Sequence, residues 1–218
     1  MKTCILIPTY NEEKSIGQLI KQIKTQNFDV LVIDDGSKDK TKDIAIKEGA
    51  IVLENKINLG KGASLRKGFE YLLSKDYDLA IIMDGDGQHS PDDINKFILK
   101  ANDPQIGIVI GNRLLKPKNM PFVRLLTNKL MSVWISKLCK QNIPDSQCGY
   151  RLIKKDVLNR IRLKSQNFEI ESELLIEAAR SGFKIDSVPI ASIYQNHKSR
   201  INPILDTIRF IKFIFNKL

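Results

Sequence analysis

The feature that most constrains this chain is a regular alternation through its first half. Five short apolar runs (Thr3–Ile7, Val30–Ile33, Ala50–Leu53, Leu79–Met83 and Ile106–Ile110) are separated by stretches with helical spacing. Lys14–Lys24 sets Ile16, Leu19, Ile20 and Ile23 on one side, and Lys61–Leu73 does the same with Leu65, Phe69, Leu72 and Leu73. Thr41–Glu48 and Pro91–Lys100 read as shorter helices, the second with Ser90 as its N-cap. Strands that alternate with helices are joined by crossovers, so they lie parallel and are covered on both faces. The expected fold class is α/β with a mostly parallel central sheet and helices on both faces.

In such sheets ligands bind beyond the carboxyl ends of the strands, where the polar motifs of this chain fall. Pro8-Thr9-Tyr10-Asn11-Glu12 follows the first run and Asp34-Asp35-Gly36-Ser37 the second; Asp84-Gly85-Asp86 follows the fourth and Gly111-Asn112-Arg113 the fifth. Any one of them reads as a turn or a helix cap. Their common side points to one site assembled from four loops.

The second half breaks the alternation. Phe122–Leu138 is helical, Cys148–Ile153 reads as a strand, Asp156–Arg160 as a short helix, Glu169–Arg180 as a helix and Ile185–Ile193 as a strand. Asn202–Leu218 reads as a basic amphipathic helix. With no linker or repeat in view, the expectation is one domain over residues 1–200 and a C-terminal appendage over 201–218. The net charge of +10 is concentrated here. Between Pro104 and Pro144 there is no acidic residue against seven basic ones, and from Ser187 onward Asp206 is the one acid. Such blocks suit anionic lipid, phosphorylated substrates or nucleic acid. A nucleic-acid binder would explain the charge but not the acidic loops at one sheet edge. The three cysteines show no framework spacing, which points to a reducing compartment. No apolar stretch reaches the roughly 18–20 residues of a spanning helix. The expected location is cytoplasmic.

Asp84 and Asp86 flank Gly85 directly after an apolar run, and Gln88 adds a neutral oxygen two residues on. A tight turn lets both carboxylates face one cation, and a few oxygen ligands with open positions suit Mg²⁺ or Mn²⁺ on a diphosphate. Asp-Gly is also a common turn pair. The chain lacks a Gly-x-x-x-x-Gly-Lys-Ser/Thr loop and a Gly-x-Gly-x-x-Gly after its first strand, which argues against a P-loop NTPase and a dinucleotide oxidoreductase. Gly60-Lys61-Gly62 leads into a helix, whose N-terminal backbone is either a phosphate cradle or a plain loop.

The ordered series Ile7–Glu12, Val32–Ser37, Asn58–Gly62 and Met83–His89, continued by Gly111–Arg113, Asp145–Arg151, Phe168–Glu171 and Lys198–Arg200, closely resembles family 2 glycosyltransferases of the GT-A fold, whose sheet is Rossmann-like. Within them it is most similar to the dolichyl- and polyprenyl-phosphate mannose and glucose synthases. The resemblance implies an inverting transfer of a sugar from a nucleotide-sugar to a polyprenyl phosphate, or to a hydroxyl of a glycolipid or cell-surface polysaccharide. Pro8, Tyr10, Glu12, Ile33 and Asp35 would hold base and ribose. Asp84 would help with ribose and metal, and Asp86 and Gln88 would bind the cation. Arg113 and Arg200 would contact phosphates, joined by Lys61 and by Arg151, which reads equally as a structural ion-pair partner. Arg200 stands where these enzymes usually carry Lys, with the positive charge kept; Tyr194 stands where the mannose enzymes usually carry Arg, and Asp145–Arg151 is more similar to the glucose-phosphate branch, which favours a UDP-sugar over GDP-mannose. A hydroxyl acceptor would need a base, for which Asp145 is the candidate; a lipid phosphate would not.

A lipid acceptor calls for peripheral contact at the cytoplasmic membrane face. Both Phe122–Leu138, with Trp134 at the interface, and Asn202–Leu218 suit that contact. A homodimer interface is the other account of apolar residues exposed there. A sugar-phosphate nucleotidylyltransferase is disfavoured, since its Gly-rich, Arg-containing N-terminal signature is missing.

Overall fold

The computed structural model describes residues 1–115, 117 and 120–191. Arg200, Tyr194, the helix expected over Asn202–Leu218 and the boundary at residue 200 lie outside the described residues.

The strands are β1 (Thr3–Thr9), β2 (Asp29–Asp34), β3 (Ile51–Glu54), β4 (Leu79–Ile82), β5 (Ile106–Asn112), β6 (Arg151–Lys154) and β7 (Lys184–Pro189). They form one sheet in the order β3-β2-β1-β4-β6-β5-β7. The helices are α1 (Ile16–Lys24), α2 (Thr41–Lys47), α3 (Lys61–Leu73), α4 (Ile94–Ala101), α5 (Phe122–Cys139), α6 (Lys155–Arg160) and α7 (Glu169–Arg180).

Alternation along β1 shows why the sheet is a middle layer. Cys4 and Leu6 join the core formed with α3, α5, α6 and α7, whereas Ile5 and Ile7 join the core formed with α1, α2 and α4. Successive side chains on a strand point to opposite faces, so an unbroken apolar run needs cover on both. The helices supply it as their spacing predicts: Ile16, Leu19, Ile20 and Ile23 of α1 are all buried, each contributing about 1.5–3 kcal/mol relative to an exposed position. The expected helix over Pro91–Lys100 divides into a 3₁₀ turn, Pro91–Asp93, and α4. Ser90 Oγ accepts from the Asp92 amide at 3.3 Å, the capping role read from sequence.

The sheet departs from simple alternation at β6, which runs antiparallel to both β4 and β5, with Arg151 opposite Ile82 and Ile110. The chain leaves α5 near the amino edge, where Gln141 bonds Phe183 and Ile185 at the start of β7, and the loop over 140–150 returns to the carboxyl edge, where Asp145 meets Arg113, so β6 starts there and runs back. Residues 148–150 belong to that loop rather than to the expected strand. The N-terminal end of β6 therefore joins the carboxyl ends of β1, β2, β4 and β5 at one edge. The strand order reverses between β1 and β4, and a crevice opens at such a switch point.

Candidate active site

At that edge lies a cleft of about 1790 Å³. It is lined by Pro8, Tyr10 and Glu12 after β1, Asp35 after β2, Lys61 at the start of α3, Asp84, Asp86 and Gln88 after β4, and Arg113 after β5. Four strand-end loops thus meet in one concavity. The far wall comes from Val123, Arg124, Thr127, Asn128 and Met131 of α5, with Gln147, Gly149, Phe168 and Glu171.

The turn after β4 is held from three sides. Its Asp84 amide donates to His89 Nδ1 at 3.3 Å, and Ser15 Oγ donates to the Gly85 carbonyl at 2.7 Å. Gln88 N–H donates to Asp86 Oδ1 at 3.0 Å, and Gly87, at φ +75°, closes the turn. His89 stacks on Tyr150 with ring centroids 5.0 Å apart. Burial pushes the imidazole pKa down, against the pull of Asp84 and Asp86, so the ring is kept neutral with Nδ1 as an acceptor. His89 positions the turn by hydrogen bonding.

The two aspartates differ in charge environment. Burial works against an ionised Asp84, yet the Lys61 ammonium holds its carboxyl well below the usual range. Burial, and then the charge of Asp84, pushes the Asp86 carboxyl upward. Among the described residues no three His, Cys, Asp or Glu side chains converge as a metal cage.

Lys61 Nζ lies 2.5 Å from Asp84 Oδ1 and 2.6 Å from Glu171 Oε1. The N-terminus of α3 does not form the phosphate cradle that was one reading of Gly60-Lys61-Gly62: the Gly62 and Ala63 amides both donate to the Gln166 carbonyl, at 2.7 and 3.1 Å. A Cβ on Gly62 would lie 2.5 Å from the Ser165 carbonyl oxygen, so glycine is what permits this approach. Asp35 ties the same loop down, accepting from Asn55 Nδ2, Leu59 N–H and Gly60 N–H at 2.8–3.0 Å. Its carboxylate organises the cleft wall.

Asp145 and the Ile33 side chain have surroundings other than those expected, and Arg151 takes one of its two expected ones. Asp145 is 0% exposed, and its two oxygens accept from Arg113 Nη2 at 2.9 Å, Nε at 2.8 Å and the Arg113 amide at 3.1 Å. A carboxylate so enclosed does not reach an acceptor hydroxyl; it fixes the Arg113 fork. Arg151 is buried beneath the cleft, with Nε on the Cys148 carbonyl (2.7 Å), Nη2 on the Ser146 carbonyl (2.7 Å) and Nη1 on the Glu171 carbonyl. Of its two readings, the structural one holds, because an arginine in a strand must satisfy its donors where it is buried. The Ile33 side chain sits in the core with Leu31 and Leu65, away from the cleft.

Glu171 carries a role the sequence did not reveal. It stands in the first turn of α7, lines the cleft and grips Lys61. The loop before β6 contributes Gly149: a Cβ there would lie 2.6 Å from Asp84 Oδ2 and 3.0 Å from Lys61 Nζ. Two buried polar atoms of cleft-lining residues, Thr9 Oγ1 and Asn128 Nδ2, have no hydrogen-bond partner among the described residues.

This geometry agrees with what the chain is similar to. A UDP-N-acetylglucosamine–dolichyl-phosphate N-acetylglucosaminyltransferase of Methanococcus voltae is 32% identical over 217 residues, spanning 88% of this chain and 86% of its own. A polyprenol monophosphomannose synthase of Mycolicibacterium smegmatis is 29% identical over 203 residues, 87% of this chain and 76% of that one. Two crystal structures of glucosyl-3-phosphoglycerate synthase from Mycobacterium tuberculosis, one with Mn²⁺ and UDP-glucose and one with Mg²⁺ and UDP, share the fold at TM-scores of 0.74 and 0.75. They are 20% identical over 99% of this chain and 78% and 77% of theirs. The model described as glycosyl transferase family 2 matches residues 4–162, from β1 through α6. The cleft at the switch point, its paired aspartates and that match lead to one conclusion: this chain is an enzyme of glycosyltransferase family 2.

Proposed function

We infer that the protein moves a sugar from a nucleoside diphosphate sugar to a polyprenyl phosphate, with inversion, at a membrane surface. The observation that carries this reading is the meeting of the Asp84–Gln88 turn with three other strand-end loops in one large cleft. Pro8, Tyr10, Glu12 and Asp35 form the wall that would take base and ribose. The names of the two relatives support a polyprenyl phosphate acceptor, and that of the M. voltae enzyme favours a uridine donor.

Asp84, Asp86 and Gln88 fit a divalent cation. Two half-buried carboxylates share one tight turn, and burial together with the charge of Asp84 pushes Asp86 upward, a push that a bound cation would relieve. With no third His, Cys, Asp or Glu converging among the described residues, Gln88 and the diphosphate of the donor would complete the shell. Mg²⁺ or Mn²⁺ bound there supplies charge neutralisation of the leaving diphosphate.

The protein's own contribution is orientation. Asp145 holds Arg113 in a fixed fork on the cleft wall, where its charge is set for the phosphates as the glycosyl bond breaks. His89 and Ser15 hold the Asp84–Asp86 turn, so little reorganisation is needed as charge develops. A phosphate oxygen of the acceptor attacks the anomeric carbon from the face opposite the diphosphate. An anionic acceptor needs no proton removed, which suits a cleft whose candidate base is committed to an arginine.

α5 supports contact with the bilayer. Its cleft face holds Val123, Thr127 and Asn128, while Phe122, Leu126, Leu130, Val133 and Trp134 are exposed, Phe122 at 76%. Lys129 and Lys137 lie on the same helix, and basic residues beside an apolar stripe suit anionic head groups. Among the described residues no helix is long and apolar enough to cross a membrane. The basic segment 201–218 belongs to the same proposal from its sequence alone.

The test supplies radiolabelled UDP- and GDP-sugars with Mn²⁺ to the protein, with vesicles carrying undecaprenyl phosphate or a glycolipid. Transfer to the lipid phosphate is expected. Transfer to the glycolipid hydroxyl without transfer to the phosphate overturns the reading.

A further inference from the structure

The Lys61 ammonium stands at the cleft wall, held between two carboxylates and an aromatic ring. Asp84 Oδ1 and Glu171 Oε1 flank it at 2.5 and 2.6 Å, and the Phe168 ring centroid lies 5.8 Å away. Glycine at 149 leaves no space beyond what Asp84 and Lys61 fill. Both ends of its tether are fixed. The backbone at the start of α3 is bound to the Gln166 carbonyl. Glu171 is held through its carbonyl by Arg151 Nη1, and Arg151 Nη2 stands 3.7 Å from Glu171 Oε2.

Lys61 therefore shares its charge between a carboxylate in the proposed cation site and one outside it. An ammonium and a divalent cation compete for the lone pairs of Asp84 Oδ1, and at this spacing the two cations repel each other strongly. Glu171 offers the ammonium a second partner that is already in contact.

The geometry points to Lys61 as a built-in counter-ion of the metal site, which holds Asp84 while no donor is bound, yields it to a divalent cation that enters with the nucleotide diphosphate, and is then retained by Glu171. Metal binding is thereby made dependent on nucleotide, because the diphosphate brings the negative charge that lets both cations stay. Lys61 and Glu171 act here as positioning residues for Asp84. This inference rests on the reading of Asp84 and Asp86 as cation ligands.

The test is a Mn²⁺ titration followed by loss of the free-ion paramagnetic resonance signal, with and without UDP. The wild-type chain is expected to bind Mn²⁺ at least about tenfold more tightly with UDP than without it, as a second buried cation demands. Lys61→Met, which is neutral and of similar length, tightens nucleotide-free binding by about tenfold or more and shrinks the UDP enhancement. Glu171→Gln shifts nucleotide-free binding the other way, because the ammonium is left with Asp84 alone. In the double variant the Glu171→Gln effect is much reduced. Loss of structure would weaken binding in both single variants, so the opposite signs are the discriminating result. Lys61→Gln is read beside Lys61→Met, and thermal midpoints are recorded for all.

If neither Lys61 variant binds nucleotide-free Mn²⁺ more tightly than wild type, the counter-ion role is overturned. If Glu171→Gln leaves that binding unchanged or tighter, the role of Glu171 falls. A wild-type chain that takes up no Mn²⁺ even with UDP removes the metal reading itself, a different result from unchanged variants.

Discussion

The two walls of the cleft are built differently. The wall from β1, β2 and β4 is polar and cross-tied: Asp35 accepts three hydrogen bonds from the 55–60 segment, Ser15 reaches the Gly85 carbonyl, and Lys61 joins Asp84 to Glu171. The wall from α5 is anchored to the body by Ser132, which bonds Ser146, and by Ile135 and Cys139 in the core. Its outer face is apolar and exposed, and its cleft face carries an Asn128 amide without a hydrogen-bond partner among the described residues. The first wall is cross-tied throughout among the described residues, with Thr9 Oγ1 as its one buried atom without a partner there. The second leaves its apolar outer surface exposed and one buried donor without a partner among the described residues. Under the proposed function, a charged donor would meet the first wall and a lipid-borne acceptor the second.

The comparison breaks most sharply at Asp86. Asp86→Ala removes one carboxylate from the first wall without opening the core. Transfer should fall by on the order of 10³-fold, as when a principal group stabilising leaving-group charge is deleted. The thermal midpoint should hardly move. Near wild-type turnover, or full activity in excess chelator, would show that the turn does not grip a cation.

Gly149→Ala tests how tightly the same wall is fitted. The new Cβ would stand 2.6 Å from Asp84 Oδ2 and 3.0 Å from Lys61 Nζ, so the ion pair must shift. Displacements approaching 1 Å at a site can lower rates by about 10²-fold. A comparable drop is expected in turnover, with a midpoint change of a few degrees. An unaffected rate would mean that Asp84 has slack that the close contacts do not suggest.

The first wall was also the more legible in sequence. β1, β2, β4 and β5 announce themselves as apolar runs, and the polar motifs follow each of them, so the shared edge can be deduced from alternation alone. Pairing across long separations could not be read this way. Arg113 and Asp145 stand 32 residues apart, and each was assigned its own chemistry, phosphate contact and base, although they bind each other. Glu171 meets Lys61 across 110 residues, which no local pattern records. Arg151 did leave a signal. It is two residues from Ile153 on a strand, hence on the same face, and Ile153 is core. The reversal of β6 depends on where the loop after α5 leaves the chain, a tertiary matter that periodicity does not encode.

The second wall is tested by charge. Leu126→Glu with Leu130→Glu places two carboxylates on the outer face of α5, where both leucines are about half exposed in the described residues. Folding should tolerate them, since neither side chain is in the core. Binding to anionic vesicles should weaken by about tenfold or more. Transfer to a vesicle-borne acceptor should fall in proportion, while binding of the nucleotide donor stays unchanged. Equal loss of donor binding would mean that the two walls are not separable. Unchanged vesicle binding combined with a change from dimer to monomer would assign the apolar face to a second copy of the chain.

The smallest expected effect concerns how firmly each wall is held, and the cysteines report it without mutation. Cys4 lies in β1, Cys148 in the loop before β6 and Cys139 in the last turn of α5, all buried and unpaired. Burial pushes each thiol up to about 12, so at neutral pH almost no thiolate exists for an alkylating reagent to meet. Labelling then requires opening, and opening is easiest where few apolar contacts must be broken. α5 has its apolar outer face in solvent, so its last turn is held by less burial than β1, which is covered on both sides. In low denaturant, mass spectrometry of alkylated peptides should find Cys139 labelled first, Cys148 next and Cys4 only with global unfolding. Anionic vesicles should slow Cys139 and leave Cys4 as it was, because they cover the face that α5 exposes. Cys4 and Cys139 labelling at one rate would mean that the walls open together, and the contrast between them would then be one of surface chemistry rather than stability.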